Sequence, residues 1–342
     1  MSEALIECVP NFSEGKNTEV IQKITRSIKE IEGVTLLDVD SSEDFNRTVI
    51  SFVGSPENVL IAAKKCAKKG LELIDMRKHS GEHARMGAVD VVPFIPISNC
   101  NMKDCISLAE RFGKYLGEEL NIPVYLYANA ARTNERKLLP NIRKGEYEGF
   151  NDKIKHDEWK PDFGPQEFIA KSGVTASGAR SVLIAFNINL DTEDKSLANS
   201  IAGKIRTSGV LKKDKEGNKI LDVNGKPERI QGKFSDLQAA GWMYDQTTAQ
   251  VSMNLLNFSK TGMHDVMEEI KKEATKLNLK VTAGELVGLV PLNAILDSGK
   301  FYHSNPSSAS VEDLVNAAID GLMLSNLGEF DSNRRIIEWA AK

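Results

Sequence analysis

Apolar positions along this chain alternate between two periods. In residues 17–31, Val20, Ile21, Ile24, Ile28 and Ile31 recur at helical spacing, and Gly33 closes the segment. Residues 4–9 form a short apolar strand that stops at Pro10. Residues 34–39 and 47–53 are β-branched runs joined by the polar turn 40–46. Ser55-Pro56 supplies a helix cap and a proline at the first helical position, and that helix runs to about Ile74. Residues 89–97 read as a buried strand. The order is β-α-β-β-α-β.

The second half repeats it. Residues 180–187 read as a strand, 194–208 as a helix closed by Gly209, and 238–244 with 248–256 as a hairpin around Asp245-Gln246-Thr247. A helix over 263–277 and a strand within 280–290 complete the unit. Two βαββαβ units predict an α+β chain of two tandem ferredoxin-like subdomains, residues 1–178 and 179–342, although no residue-level repeat accompanies the shared order. Residues 147–177 are irregular and rich in Pro and Gly, as in a linker or binding loop. Residues 212–233 read as an exposed hairpin insertion, and 311–326 as an amphipathic helix that packs on the core.

A length of 342 residues fits two domains, and 41% hydrophobic with 27% charged residues is ordinary globular composition. The 44 basic and 48 acidic residues leave a net charge of −4, which excludes the whole-chain basic excess of a nucleic-acid coat. Cys8, Cys66, Cys100 and Cys105 are too few and scattered for a disulfide framework, so free thiols in a reducing compartment are expected. No basic leader precedes an apolar run, and residues 89–97 are too short to span a bilayer. A cytoplasmic protein without membrane or nucleic-acid partners is the expectation. No GxGxxG or GxxxxGK[ST] occurs, so nucleotide phosphates are not indicated.

His79 and His83 fall four apart, and His79-Ser80-Gly81-Glu82-His83 has the form of the H-x-x-E-H zinc-protease pattern. That chemistry needs a continuous helix, whereas Gly81 and Gly87 bracket this segment ahead of a strand. The alternative is a loop histidine that takes and returns a proton near neutral pH, which needs no metal. Asp38, Asp40, Asp44, Asn46 and Arg47 crowd the first hairpin, where turn chemistry alone accounts for such a cluster. A strand ending at Asp40 that lay beside the strand following His83 would also let a carboxylate orient the imidazole.

Several segments together resemble the formiminotransferase domain family of folate metabolism. They include Cys8-Val9-Pro10-Asn11-Phe12-Ser13-Glu14-Gly15, Leu37-Asp38-Val39-Asp40, Asn46-Arg47-Thr48-Val49 and Gly81-Glu82-His83-Ala84-Arg85-Met86-Gly87. Asp162-Phe163-Gly164-Pro165, Gln250-Val251-Ser252-Met253-Asn254-Leu255 and Glu285-Leu286-Val287-Gly288-Leu289-Val290-Pro291 extend the likeness along essentially the whole chain. The family's GEHPR has Pro where Ala84 stands here, and its W-G-A-T reads Ser172-Gly173-Val174-Thr175.

The resemblance implies two ferredoxin-like subdomains packed together with a ligand tunnel between them. It implies transfer of the formimino group from N-formimino-L-glutamate to N5 of tetrahydrofolate, a step of histidine degradation, in a homodimer. His83 takes the family's catalytic position and Asp40 the supporting one. The folate-contacting loop maps onto Gly164, Pro165, Gln166, Glu167, Phe168, Ile169, Ala170, Lys171, Ser172 and Gly173. Both substrates carry carboxylates, for which Arg47, Arg85 and Arg132 are candidates. Animal members fuse the domain to a cyclodeaminase, and a stand-alone transferase is expected here. Formyl transfer from N-formylglutamate on the same scaffold, and folate binding without turnover, are the alternatives.

Overall fold

The computed structural model describes residues 4–342, which divide into two compact units, one ending at Ser181 and the other beginning at Val182. The first runs β1 (Leu5–Cys8), β2 (Asn11–Phe12), α1 (Thr18–Lys29), β3 (Val34–Ser42), β4 (Arg47–Gly54) and α2 (Pro56–Leu73). It continues with β5 (Val89–Ser98), α3 (Met102–Glu119), β6 (Val124–Ala128), α4 (Leu139–Arg143), α5 (Glu146–Lys153) and β7 (Thr175–Ala179). Among the described residues its sheet has seven strands. β1 and β2 lie end to end between β4 and β5, β3 pairs with β4 on the far side, and β7 and β6 extend the sheet in parallel beyond β5.

Local chemistry explains the helices. The Asn17 side chain accepts from the backbone N–H groups of Glu19 and Val20, and α1 buries Ile21, Ile24 and Ile28. Ser55 caps α2 ahead of Pro56, and that helix buries Val59, Leu60, Ala63, Cys66 and Ala67. Asn101 and Asp104 form a capping box for α3, which sends Leu108, Phe112 and Leu116 into the core. These faces meet Ile6, Phe12, Phe52 and Phe94 of the sheet in one buried cluster. Each such side chain contributes about 1.5–3 kcal/mol by leaving water.

The strand expected to stop at Pro10 resumes after it. Pro10 has no N–H to give the ladder, but its carbonyl accepts from Ile50 N at 3.0 Å, which keeps β2 in line. The first hairpin is tighter than the polar run suggests, because β3 continues through Ser42 and the turn shrinks to residues 43–46. The irregular stretch also holds order of its own, since α5 overlaps its start and β7 begins at Thr175. The βαββαβ pattern passes over α3 and β6.

The second unit contains β8 (Ile184–Leu190), α6 (Lys195–Ile205), β9 (Val210–Leu211), β10 (Arg229–Ile230), β11 (Leu237–Met243) and β12 (Ala249–Leu255). After these come α7 (Met263–Lys276), β13 (Val281–Val287), α8 (Leu292–Tyr302) and α9 (Val311–Gly321). Its antiparallel sheet has the order β11-β12-β8-β13. The first four long strands of the first unit have the matching order β3-β4-β1-β5, so the two units share one connectivity. β8 starts four residues later than the apolar run implies. The expected insertion is a β9–β10 ribbon whose outer turns are closed by Asp214 and Asp222. The chain is a mixed α+β protein. Among the described residues no helix is long and apolar enough to cross a membrane.

Candidate active site

Residues 79–88 form a loop between a short 3-10 turn and β5, so His79 and His83 do not share the helix that a zinc-protease motif requires. Three neighbouring segments hold the loop in place. Glu82 N donates to Asp44 O in the first hairpin at 3.2 Å, and Tyr147 N of α5 donates to Arg85 O at 2.8 Å. Ala88 N donates to Ser172 O at 2.8 Å, while Val174 N donates to Met86 O at 3.1 Å. The Gly87–Gly173 bridge at this seam leaves no room for side chains, and Gly173 adopts φ +66°.

His79 is a structural histidine. Its Nε2 is 2.8 Å from the carbonyl of Asn46, so that nitrogen must donate, and its Nδ1 accepts from Arg85 Nε at 3.3 Å. The ring is therefore neutral, and burial, ahead of all other influences, pushes its pKa down. Asn46 sits at φ +46°, a conformation Asn tolerates, with its side chain tied to Gly15 N and Ser80 O.

His83 is built differently. It is half-buried and makes no hydrogen bond to any described residue; its nearest ring neighbour is Phe45, edge-on at 6.4 Å between centroids. Burial is the main reason its pKa falls to about 4, and the charges of Arg47, Arg143 and Arg85 push the same way. The imidazole is neutral at physiological pH, with both nitrogens free to meet a ligand.

The three arginines proposed from sequence have separate fates. Arg85, almost buried, is spent: Nη1 reaches Glu146 at 3.1 Å and Glu148 at 2.9 Å, Nη2 reaches Glu148 at 2.5 Å, and Nε holds His79. Arg132 lies half-exposed, 3.7 Å from Asp162 and over the Phe163 ring at 4.9 Å. Arg47 remains open. Its guanidinium makes no hydrogen bond with any described residue, its Nε is buried without an acceptor, and Asp40 stands 3.8 Å from Nη2.

Asp40 does not reach His83. β4 and the β1–β2 pair separate β3 from β5, so the strand adjacency that would have joined them is absent. Asp40 is exposed and faces Arg47 instead.

Sequence reasoning missed Arg143 and its anchor. Asp90 is a fully buried carboxylate in β5 that accepts from Met86 N at 2.7 Å and Arg143 Nη2 at 2.5 Å. Burial pushes its pKa up, and these two donors oppose that rise. A lone Asp inside an otherwise apolar strand was the available signal, because such a charge demands a partner. Arg143 Nε is itself buried and unpartnered. Each orphaned donor costs about 1–3 kcal/mol, and both of those found among the described residues belong to arginines whose charges act on His83.

The loop that resemblance assigns to folate packs on the same loop. Phe168 lies 5.1 Å from the Tyr147 ring, the Tyr147 hydroxyl donates to Ala170 O, and Lys171 O accepts from Met76 N. Behind it, Leu71, Leu120, Ile122, Ile169 and Ser172 line a cavity of about 290 Å³. Arg85→Gln would cut the tie between α5 and the His79 loop. Its partners Glu146 and Glu148 can hydrate, so the expected loss is about 1–3 kcal/mol in urea unfolding. An unchanged midpoint would show that the clamp holds nothing.

The sequence matches the family described as the formiminotransferase domain, N-terminal subdomain, over residues 5–180, and the formiminotransferase domain over residues 185–342. It is 46% identical to the formimidoyltransferase-cyclodeaminase of Mus musculus over 338 residues, covering 98% of this chain but 59% of that protein. The chain thus spans about three-fifths of that relative's length. It is 39% identical to proteins named glutamate formimidoyltransferase from Streptococcus pyogenes serotype M1 and from Thermoplasma acidophilum. Those matches cover 87% of this chain and 93% and 92% of the two relatives. On both counts, the chain belongs to the formiminotransferase domain family.

Proposed function

We propose that the protein transfers the formimino group of N-formimino-L-glutamate to N5 of tetrahydrofolate, releasing L-glutamate and 5-formiminotetrahydrofolate. The carrying observation is His83, neutral and unclaimed by any described residue, beside the open guanidinium of Arg47. The names of the bacterial and archaeal relatives support the same reading.

Tetrahydrofolate supplies the attacking nitrogen as a co-substrate. His83 takes the proton that nitrogen loses as the new C–N bond forms. It returns the proton to the glutamate nitrogen as the old C–N bond breaks, so it ends the cycle neutral, and no metal is required. A shuttle of this kind contributes about 10²–10⁴-fold, and holding both substrates together contributes further. Arg47 offers unpaired donors to a substrate carboxylate. Asp40 enters through Arg47, which it faces, rather than by holding the imidazole. Residues 164–173 form the folate-contacting loop in this reading. The ferredoxin-like assignment of residues 1–178 and 179–342, the ligand tunnel, a homodimer and a cytoplasmic setting are parts of the same proposal.

The test is an assay with purified protein, tetrahydrofolate and N-formimino-L-glutamate, with N-formylglutamate in parallel. After acid quench, methenyl-tetrahydrofolate is read by its absorbance. Signal from the formimino donor is expected. Signal from the formyl donor alone would move the reaction to formyl transfer, and silence from both with folate bound would leave a non-catalytic binder.

A further inference from the structure

We propose that Arg143, together with Arg47, receives the α-carboxylate of the amino-acid donor beside His83, so that donor binding completes the proton-shuttling site. The inference deepens the transferase reading and rests on it.

Arg143 is the last residue of α4, held through Nη2 by buried Asp90, which is fixed in turn by Met86 N. That leaves Nε buried without an acceptor and Nη1 without a protein partner among the described residues. Arg47 has the same deficit: a buried, unpartnered Nε and no hydrogen bond from its terminal nitrogens. The two cations are close enough that Arg143 disfavours the charge on Arg47. Asp40 and Asp90 are the anions that act on this pair, and neither satisfies the orphaned nitrogens. Phe45 has Arg47 above its ring at 5.9 Å and His83 edge-on, which sets guanidinium and imidazole around one aromatic wall.

A carboxylate offers two oxygens with about four acceptor positions, the complement to two guanidinium groups short of partners. In the donor, the α-carboxylate lies two bonds from the nitrogen that must be reprotonated. Whatever binds that carboxylate therefore sits near the histidine that returns the proton. The charges acting on His83 are Arg47 of β4, Arg143 of α4 and Arg85 of its own loop, all of which disfavour a charged imidazole, while the titratable His79 of the same loop is neutral. Arg85 is already countered by Glu146 and Glu148. Asp90 holds Arg143 through one nitrogen and exposed Asp40 stands 3.8 Å from Arg47, so a bound carboxylate would add a further negative charge there and make His83 a stronger base only when donor is present.

The experiment follows the histidine C2 resonances of the full chain through a pH titration, with His83 assigned by His83→Asn. Free protein is expected to titrate at His83 near pH 4. Saturating L-glutamate should raise that midpoint by about one pH unit or more. L-isoglutamine, in which the α-carboxylate is an amide, should leave it in place.

In parallel, Arg143→Lys and Arg47→Gln should raise the KM for N-formimino-L-glutamate about ten- to a hundredfold and spare the KM for tetrahydrofolate. Arg143→Lys keeps a cation for Asp90, and Arg47→Gln strands only an exposed carboxylate, so both variants are expected to fold. An active wild type with donor KM unchanged in both variants would overturn the inference. So would a His83 shift of equal size with isoglutamine. An inactive wild type whose His83 still answers glutamate alone would overturn the transferase reading and support the carboxylate receptor.

Discussion

If the proposed transfer holds, His83→Asn is expected to lower turnover by about 10²–10⁴-fold while tetrahydrofolate and glutamate still bind. Asparagine retains a polar side chain of similar reach but cannot accept and return a proton. The fold should not notice the change, because His83 makes no hydrogen bond to any described residue. Its effect on stability is expected to stay within about 0.5 kcal/mol, as for sites that hold nothing in place. Single-turnover assays with both substrates saturating would isolate the chemical step from binding. Activity near wild type would remove His83 from the mechanism. A large drop in stability would instead show that the histidine is part of the scaffold.

Gly173→Ala is the change expected to hurt the fold most. At φ +66° a β-carbon is already unfavourable by about 1–2 kcal/mol. An added Cβ would also stand 2.1 Å from Met86 O and 2.7 Å from Gly87 Cα, both backbone atoms that cannot swing aside. The structure can relieve this only by parting the two loops, which breaks the hydrogen bonds between Ala88 and Ser172 and between Val174 and Met86. A loss of about 3 kcal/mol or more in denaturant unfolding is expected, with activity falling alongside it. A variant within 0.5 kcal/mol of wild type would show that the seam is soft. A β-carbon added at Gly87 would stand 2.3 and 2.6 Å from the carbonyl oxygens of Val174 and Ser172, so the seam is closed from both sides.

Much of the architecture was legible because local signals agreed with it. Ile21, Ile24 and Ile28 mark the buried face of α1, Ser55-Pro56 marks the start of α2, and the shared βαββαβ order survives as a shared sheet order. What was missed had two causes. The Asn101–Asp104 capping box ahead of Leu108, Phe112 and Leu116 is a plain helix signal, but it lies outside the repeat and was left out with it. The second cause is that spatial neighbours do not follow from spacing. Asp40 and the His83 strand belong to one sheet, yet strand order inserts β4 and the β1–β2 pair between them. Arg143 sits in no motif, and only the buried carboxylate of Asp90, 53 residues earlier, explains why it points inward. The resemblance identified His83, whereas the arrangement of cations around it required the fold.

β3 has β4 as its single strand partner among the described residues, so its other flank presents unpaired backbone groups. Such a flank is a template on which another chain can add a strand. Asp38 and Asp40 are both exposed along it, placing like charges where an incoming copy would bring the same two residues. Like charges so placed disfavour strand-to-strand pairing of two copies along this edge.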